Sequence, residues 1–311
     1  MTKAVAHPNI ALVKYWGKQD RPGNLPVTPN LSLTLDGLMT ETDIRAADTD
    51  RLVINGVAQS NAKIAQFLAT LRDSYDIPPI EIVTTNNFPT GAGLASSASG
   101  FAALMIAINQ HCNLGLSTAA LSTWARQGSA SAARSFYGGY VSLTGPDWQA
   151  ASLAPASHWP VNIVVAITSE RTKLVGSTEG MRRTAATSPF FDTWVKTADT
   201  DYTAAAAAIQ ARDFTQLAAI AEHNCLKMHS IMLTSKPSLS YWNGATVACM
   251  DTVRSLRDEG LSAFFTIDAG PQVKVICTPA HSARVQNALA NTPGVLTTYL
   301  CGLGDGARII E

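Results

Sequence analysis

Four short passages carry residue types that could do chemistry together. Pro89 to Gly100 (PTGAGLASSASG) sets three glycines and three serines ahead of an apolar run. Glycines let a backbone turn sharply and approach a ligand closely. A helix start after them presents unpaired N–H groups at a positive dipole end. That suits a phosphate, with Ser96, Ser97 or Ser99 available for phosphate oxygens or Mg2+. The same composition also suits a tight strand-to-helix turn with a small-residue packing face. It is not a Walker A loop, because no Gly-Lys-Ser/Thr closes it, and it lacks GxGxxG. Gly128-Ser-Ala-Ser-Ala-Ala-Arg134 is a second such start. Ser129 and Ser131 can donate to an oxyanion, and the Arg134 fork can hold a carboxylate or phosphate through two parallel bonds. Lys14-Tyr-Trp-Gly-Lys18 places two cations and two amphipathic aromatics around one glycine. Thr266-Ile-Asp-Ala-Gly-Pro271 ends a strand on a lone acid, Asp268, which is also a common turn former. Taken singly, each passage has an ordinary structural explanation. Taken together they are compatible with phosphoryl transfer, and spacing alone goes no further than a kinase-like enzyme. The six histidines show no metal-binding spacing such as HExxH, which argues against a zinc site.

These residues need elements to hold them. Ile10–Val13 is a short apolar run, and Leu31, Leu33 and Leu35 alternate with polar residues, the period of a half-buried strand. Asn55-Gly56 between apolar pairs signals a hairpin. Helical spacing covers 62–75, a strand 80–85, and an apolar helix follows from Phe101. Ser117 can cap a helix through Arg126, a serine-rich helix start covers 129–134, and strands are expected at 140–143 and 163–167. Beyond these, helices are expected over 190–209, 215–232, 244–259 and 282–289, with strands at 263–267, 273–277 and 295–299. Strands and helices mix in both halves, so the fold class is α/β or α+β. The domain division is expected near 185, giving domains 1–185 and 186–311.

Composition narrows the class of partner. Lys plus Arg total 23 and Asp plus Glu total 23, so no basic surplus favours nucleic acid or an anionic membrane. Only 15% of residues are charged, a thin polar coat that suits an oligomer hiding some surface. The five cysteines are odd in number and scattered, with no CxxC, as in a cytoplasmic protein with reduced thiols. No apolar run approaches the ~18 residues of a bilayer span, and His7, Pro8 and Lys14 interrupt any signal-peptide stretch.

The passages 9–18 (NIALVKYWGK), 89–100, 128–139 and Asp268-Ala-Gly-Pro271, in this order, resemble the successive signatures of the diphosphomevalonate decarboxylases of the GHMP kinase superfamily. Gly176–Met181, Thr187–Phe190, Asn224–His229 and the tail Gly302–Gly306 are similar to that family as well. The resemblance implies two domains, ribosomal-protein-S5-like then ferredoxin-like, with the site in the cleft between them. It implies ATP as co-substrate with Mg2+, mevalonate 5-diphosphate as substrate, no nucleic-acid or membrane partner, and a homodimer. By resemblance, Asp268 is the catalytic aspartate that orients or deprotonates the 3-hydroxyl, and Arg134 holds the substrate carboxylate. Lys18 and Tyr15 lie on the substrate side, with Ser129, Ser131 and Ser177 around the diphosphate and reacting centre. Pro89, Gly91, Ala92, Gly93, Leu94, Ala95, Ser96 and Ser97 form the ATP loop, Lys173 approaches the γ-phosphate, and Ser96 and Ser97 are candidates for Mg2+. Gln272 stands where the family usually has Asn, Thr28-Pro-Asn30 replaces a small-polar run, and Thr178 replaces an Arg common in bacterial members. Related enzymes act on mevalonate monophosphates or only phosphorylate, and these are the rival readings.

Overall fold

The computed structural model describes residues 2–88 and 96–310. The first half runs β1 (Thr2–Ala6), β2 (Asn9–Val13), β3 (Asn30–Thr34), β4 (Thr40–Ala46), β5 (Arg51–Ile54), β6 (Val57–Ala58), α1 (Ala62–Arg72), β7 (Ile80–Asn86), α2 (Ser96–His111) and α3 (Thr118–Gly128). A 3-10 helix (Ala130–Phe136), β8 (Tyr140–Thr144) and β9 (Gln149–Ala154) complete it. The second half runs β10 (Asn162–Ile167), α4 (Ser177–Thr187), α5 (Phe191–Ala211), α6 (Phe214–Leu233), α7 (Gly244–Asp258), β11 (Ala263–Ile267), β12 (Val273–Cys277), α8 (Ser282–Ala290), β13 (Thr297–Cys301) and β14 (Arg308–Ile310).

The strands form three sheets, ordered β14-β1-β4-β7-β5-β6, β2-β3-β8-β9 and β11-β12-β10-β13. Every described strand pair is antiparallel except β5 with β7. In the third sheet β10 pairs with both β12 and β13. The expected division at 185 falls inside α4, whereas hydrogen bonding places β10 with the second half. The change of sheet therefore comes earlier, between β9 and β10. Sequence could not show this, because an apolar run such as Ile163–Ile167 does not say which sheet will pair with it.

Burial explains the elements that periodicity revealed. All five residues of β2, β3, β11 and β12 are buried. Helix α2 is apolar nearly all round because it is enclosed, with Phe101, Leu104, Met105 and Ile108 packed in one cluster with Ala4, Ile44 and Phe67. A second cluster joins the halves: Ile10, Leu12 and Leu33 pack with Ala208 and Leu217 from α5 and α6, and with Phe264 and Ile276. Asn61 caps α1 by accepting from the Lys63 and Ile64 amides at 3.0 and 3.3 Å. Helix α4 was not anticipated as a helix, since it buries only Gly180, Met181 and Thr184 and so lacks an apolar stripe. No helix among the described residues is long and apolar enough to cross a membrane.

The C-terminal tail crosses back over the first half. Gly304 N–H donates to Thr34 O at 2.8 Å and Ala307 N–H to Ser135 O at 2.9 Å. Gly306 lies so close to the 3-10 helix that a Cβ there would meet Phe136 O at 2.2 Å. Gly306→Ala is expected to cost about 1–3 kcal/mol, because backbone rather than a movable side chain blocks the methyl. A melting temperature equal to that of the parent protein would contradict this packing.

Candidate active site

A cavity of about 660 Å³ opens between the two halves. Strand ends and helix starts deliver its lining. β2 leads into Lys14, Tyr15 and Trp16, and β11 leads into Asp268. The 3-10 helix supplies Ser131 and Arg134, while Ser96, Ser97 and Ser177 begin α2 and α4. Ten of the expected site residues line this one space: Tyr15, Lys18, Ser96, Ser97, Ser129, Ser131, Arg134, Lys173, Ser177 and Asp268. The expected ATP-loop positions Pro89, Gly91, Ala92, Gly93, Leu94 and Ala95 lie outside the described residues. Lining cations outnumber acids, with Lys14, Lys18, Lys63, Arg134 and Lys173 against Asp268 alone among the described residues. Such a space draws in anions.

Asp268 sits between two lysines. Its Oδ1 accepts from Lys14 Nζ at 2.6 Å, and its Oδ2 lies 3.2 Å from Lys274 Nζ. Both lysine side chains are 1% exposed, while the carboxylate, at 27%, is the member that reaches the cavity. Burial alone would raise its proton affinity, but the charges and hydrogen bonds of Lys14 and Lys274 outweigh it and hold the carboxyl well below the usual range. It is therefore ionised whenever the protein is folded near neutrality. Lys14 is itself fixed, since its backbone N–H donates to Asn224 Oδ1 at 2.7 Å.

Arg134 is fully buried. Its Nε donates to Asn9 Oδ1 and Ser32 Oγ at 3.2 and 3.1 Å, and its Nη2 to Asn9 Oδ1 at 2.9 Å. Nη1 is buried without a partner among the described residues. A buried donor left open on a cavity wall favours an incoming anion. Burial lowers the guanidinium to about 10, partly offset by the field of Asp268. Tyr15 Oη is also buried without a partner among the described residues, and burial raises its phenol.

The serines connect the two sides of the cavity. Ser129 Oγ lies 3.1 Å from Ser131 Oγ and donates to Ser97 Oγ at 3.2 Å. Lys18 Nζ donates to Asn24 Oδ1 and Thr178 Oγ1 at 2.7 and 3.0 Å, so Thr178 contacts this lysine. Lys173 Nζ donates to Ser177 Oγ at 2.8 Å and Ala269 O at 3.1 Å, and burial lowers its ammonium. Gln272 spans to the next strand end: its Oε1 accepts from Thr168 N–H at 2.6 Å and its Nε2 donates to Ser169 O at 2.5 Å. The glutamine thus fastens the segment leading to Lys173 and leaves Asp268 in place.

The residues present suit a nucleotide-bound Mg2+ rather than a protein-held metal. No cluster of three His, Cys, Asp or Glu that could hold a metal occurs among the described residues. A nucleotide-bound Mg2+ needs none, because it keeps waters and takes phosphate oxygens. The hydroxyls of Ser96, Ser97 and Ser129 at the cavity wall are the hard oxygen donors that such an ion accepts.

Sequence reasoning passed over Asn9, Asn24, Lys63 and Lys274, and gave Lys14 no role of its own. Lys274 left a signal: it interrupts Val-Lys-Val-Ile-Cys, a strand otherwise free of charge, and buried lysines are rare unless paired.

The two-lobed fold and this anion-drawing cleft define a GHMP-type enzyme of phosphorylated small molecules. Residues 6–154 match a family model for the diphosphomevalonate decarboxylase-like N-terminal domain. Residues 163–298 match one for the mevalonate 5-diphosphate decarboxylase C-terminal domain. The chain is 34% identical to the diphosphomevalonate decarboxylase of Candida albicans, over 94% of this chain and 89% of that protein. Among solved structures, a complex of MDDEF with MVAPP, AMPPCP and magnesium is 35% identical and superposes with a TM-score of 0.92, over 100% of this chain and 98% of that one. Mevalonate diphosphate decarboxylase from Staphylococcus aureus is 34% identical with a TM-score of 0.91, at the same coverage. The chain belongs to the diphosphomevalonate decarboxylase family.

Proposed function

We propose that this protein catalyses the ATP-dependent decarboxylation of mevalonate 5-diphosphate to isopentenyl diphosphate, releasing ADP, phosphate and CO2. The observation that carries the reading is that Asp268, held between Lys14 and Lys274, shares one cavity with Arg134 and its open Nη1. A tertiary hydroxyl leaves poorly, so it is first phosphorylated: O3 bonds to the γ-phosphorus as the bond from that phosphorus to ADP breaks. The C3–O bond then breaks with its electron pair going to phosphate. The C1–C2 pair becomes the C2=C3 double bond, and C1 departs as CO2. The hydroxyl proton passes to solvent.

Each residue has a task in this scheme. Arg134 holds the C1 carboxylate through its open donor. Asp268 accepts a hydrogen bond from the 3-hydroxyl and electrostatically favours positive charge at C3. Ionised by Lys14 and Lys274, it is placed to orient or deprotonate the hydroxyl. Lys18, Tyr15, Ser129, Ser131 and Ser177 receive the diphosphate, and the N–H groups at the start of α4 add to this. Lys173, Ser96 and Ser97, with the ATP-loop positions Pro89 and Gly91–Ala95, receive the nucleotide phosphates. Bound there, Mg2+ supplies charge neutralisation on those phosphates. Both halves contribute to both ligands: the first carries the ATP loop with Lys18, Ser129 and Arg134, and the second carries Lys173, Ser177 and Asp268. The low charged fraction, with Leu296 exposed just before β13 and Leu300 exposed within it, supports a homodimer, and the five free cysteines suit the cytoplasm. Sedimentation at one tenth of the working concentration tests the dimer.

Substrate choice is tested by steady-state turnover of mevalonate 5-diphosphate against mevalonate 5-phosphate. The diphosphate is expected to win by at least about tenfold in kcat/KM, since a second phosphate adds charge-assisted bonds to Lys18 and the serines. Preference for the monophosphate would reject the diphosphate reading.

Lys18 also predicts a pH dependence. Burial, with Lys63 and Arg182 nearby, lowers its ammonium to about 8. The protonated form binds anions, so kcat/KM for the diphosphate substrate should fall as pH rises through about 8, a free-enzyme titration. Lys18→Arg should remove that alkaline limb, because guanidinium stays charged. The same limb in the arginine variant would assign it elsewhere.

A further inference from the structure

We propose that Asn24 is a positioning residue that holds the Lys18 ammonium toward the diphosphate without neutralising it. The inference rests on the reading that Lys18 binds the diphosphate. Lys18 and Pro26 form an isolated bridge, and Gln19 N–H donates to Leu25 O at 2.9 Å, so residues 19–25 make a closed turn. Asn24 occupies the left-handed region at φ 53°, which Asn tolerates better than most residues. Its side chain faces two ways. Nδ2 donates to Arg126 O at 3.1 Å and Gln127 O at 2.6 Å, in the last turn of α3, while Oδ1 accepts from Lys18 Nζ at 2.7 Å.

A second tie comes from the other direction. The Arg126 side chain donates to Gly23 O at 3.2 Å and to the carbonyls of Asp147 and Trp148. Arg126 therefore gives its backbone carbonyl to Asn24 and takes the carbonyl of the preceding residue. The turn is clipped to the end of α3, two residues before Ser129, whose hydroxyl faces the same cavity as Lys18. Asn24 thereby fixes the lysine relative to the serine pair.

The chemistry of the acceptor matters. A carboxylate at this point would compete with the diphosphate for the ammonium, whereas an amide oxygen orients it and leaves its charge for the ligand. The charges that act on the Lys18 ammonium are those of Lys63 from α1 and Arg182 from α4, the latter paired with Glu179 at 2.6 Å. Among the described residues the ammonium donates to Asn24 and Thr178, and both are neutral.

The test is steady-state kinetics of the full chain carrying Asn24→Gly, Asn24→Asp or Lys18→Met, with mevalonate 5-diphosphate and ATP varied separately. Glycine keeps the left-handed backbone and removes all three side-chain hydrogen bonds. Asn24→Gly should raise KM for the diphosphate substrate about tenfold, with kcat and KM for ATP within about twofold, the pattern of lost uniform binding. It should also move the alkaline limb of kcat/KM down. Asn24→Asp loses the bonds to α3 but adds charge beside Lys18. It should raise the same KM and move the limb up by about one unit. Opposite movements of one limb are not produced by general loosening of the fold, and melting temperatures identify any variant that does not fold. Lys18→Met with an unchanged KM would reject the role of Lys18 itself. Raised KM in Lys18→Met, with parental KM and limb in both Asn24 variants, would overturn the role of Asn24 alone.

Discussion

Asp268→Asn is expected to lower kcat by about 10³ while KM for ATP and for the diphosphate substrate stay within about tenfold. The amide keeps the shape of the carboxylate but cannot favour positive charge at C3. It also leaves Lys14 and Lys274, both 1% exposed, facing a neutral group. Removing one member of a buried ionic cluster costs about 3–5 kcal/mol of stability, so the melting temperature should fall too. Saturating substrate and a temperature well below the new transition separate the two effects. Because the parent carboxyl is held so far below the ordinary range, its titration should add no acid limb to kcat at any pH where the protein stays folded. Turnover within about threefold of the parent in Asp268→Asn would remove Asp268 from the reacting centre.

Arg134→Ala should damage saturation and rate together, with kcat/KM for the diphosphate substrate falling by about 10²–10³ and KM for ATP little changed. A charged hydrogen bond to a buried anion contributes about 1.5–3 kcal/mol, and loss of the guanidinium leaves Asn9 Oδ1 and Ser32 Oγ without their donor. Arg134→Lys should recover little, because one ammonium cannot span Asn9, Ser32 and a carboxylate as the planar fork does. Kinetics of both variants against each substrate check this, and unaltered saturation in Arg134→Ala would exclude the arginine from the site.

Much of this arrangement is legible in the amino-acid sequence. The Leu31–Leu35 alternation, the Asn55-Gly56 turn and the enclosed helix after Phe101 each mark an element that formed there, but β3 is buried on both faces, with Ser32 and Thr34 enclosed too, rather than half-buried. The helix α4 escaped because its few buried residues give no stripe. Strand β4 escaped because Thr40 and Thr42, both 1% exposed, are buried polar residues in place of an apolar row. The serine-rich start at 129–134 proved to be a 3-10 helix, whose tighter winding no composition rule distinguishes from an α-helix. Within the site, residues inside the four passages were visible because their types are unusual together. Lys274 and Asn24 were not, since one acts across a strand pairing and the other across a loop closure to α3. Such partners depend on which distant segments meet, and local sequence does not contain that information.

The central claim is that phosphorylation of the 3-hydroxyl and loss of the carboxyl group are two stages of one turnover. It is tested by counting ADP and labelled CO2 in one reaction of carboxyl-labelled mevalonate 5-diphosphate with ATP and Mg2+. The account predicts equal amounts of the two at every time point and isopentenyl diphosphate as the carbon product. ADP accumulating without CO2, with a stable 3-phosphate as product, would make the protein a kinase and contradict the account.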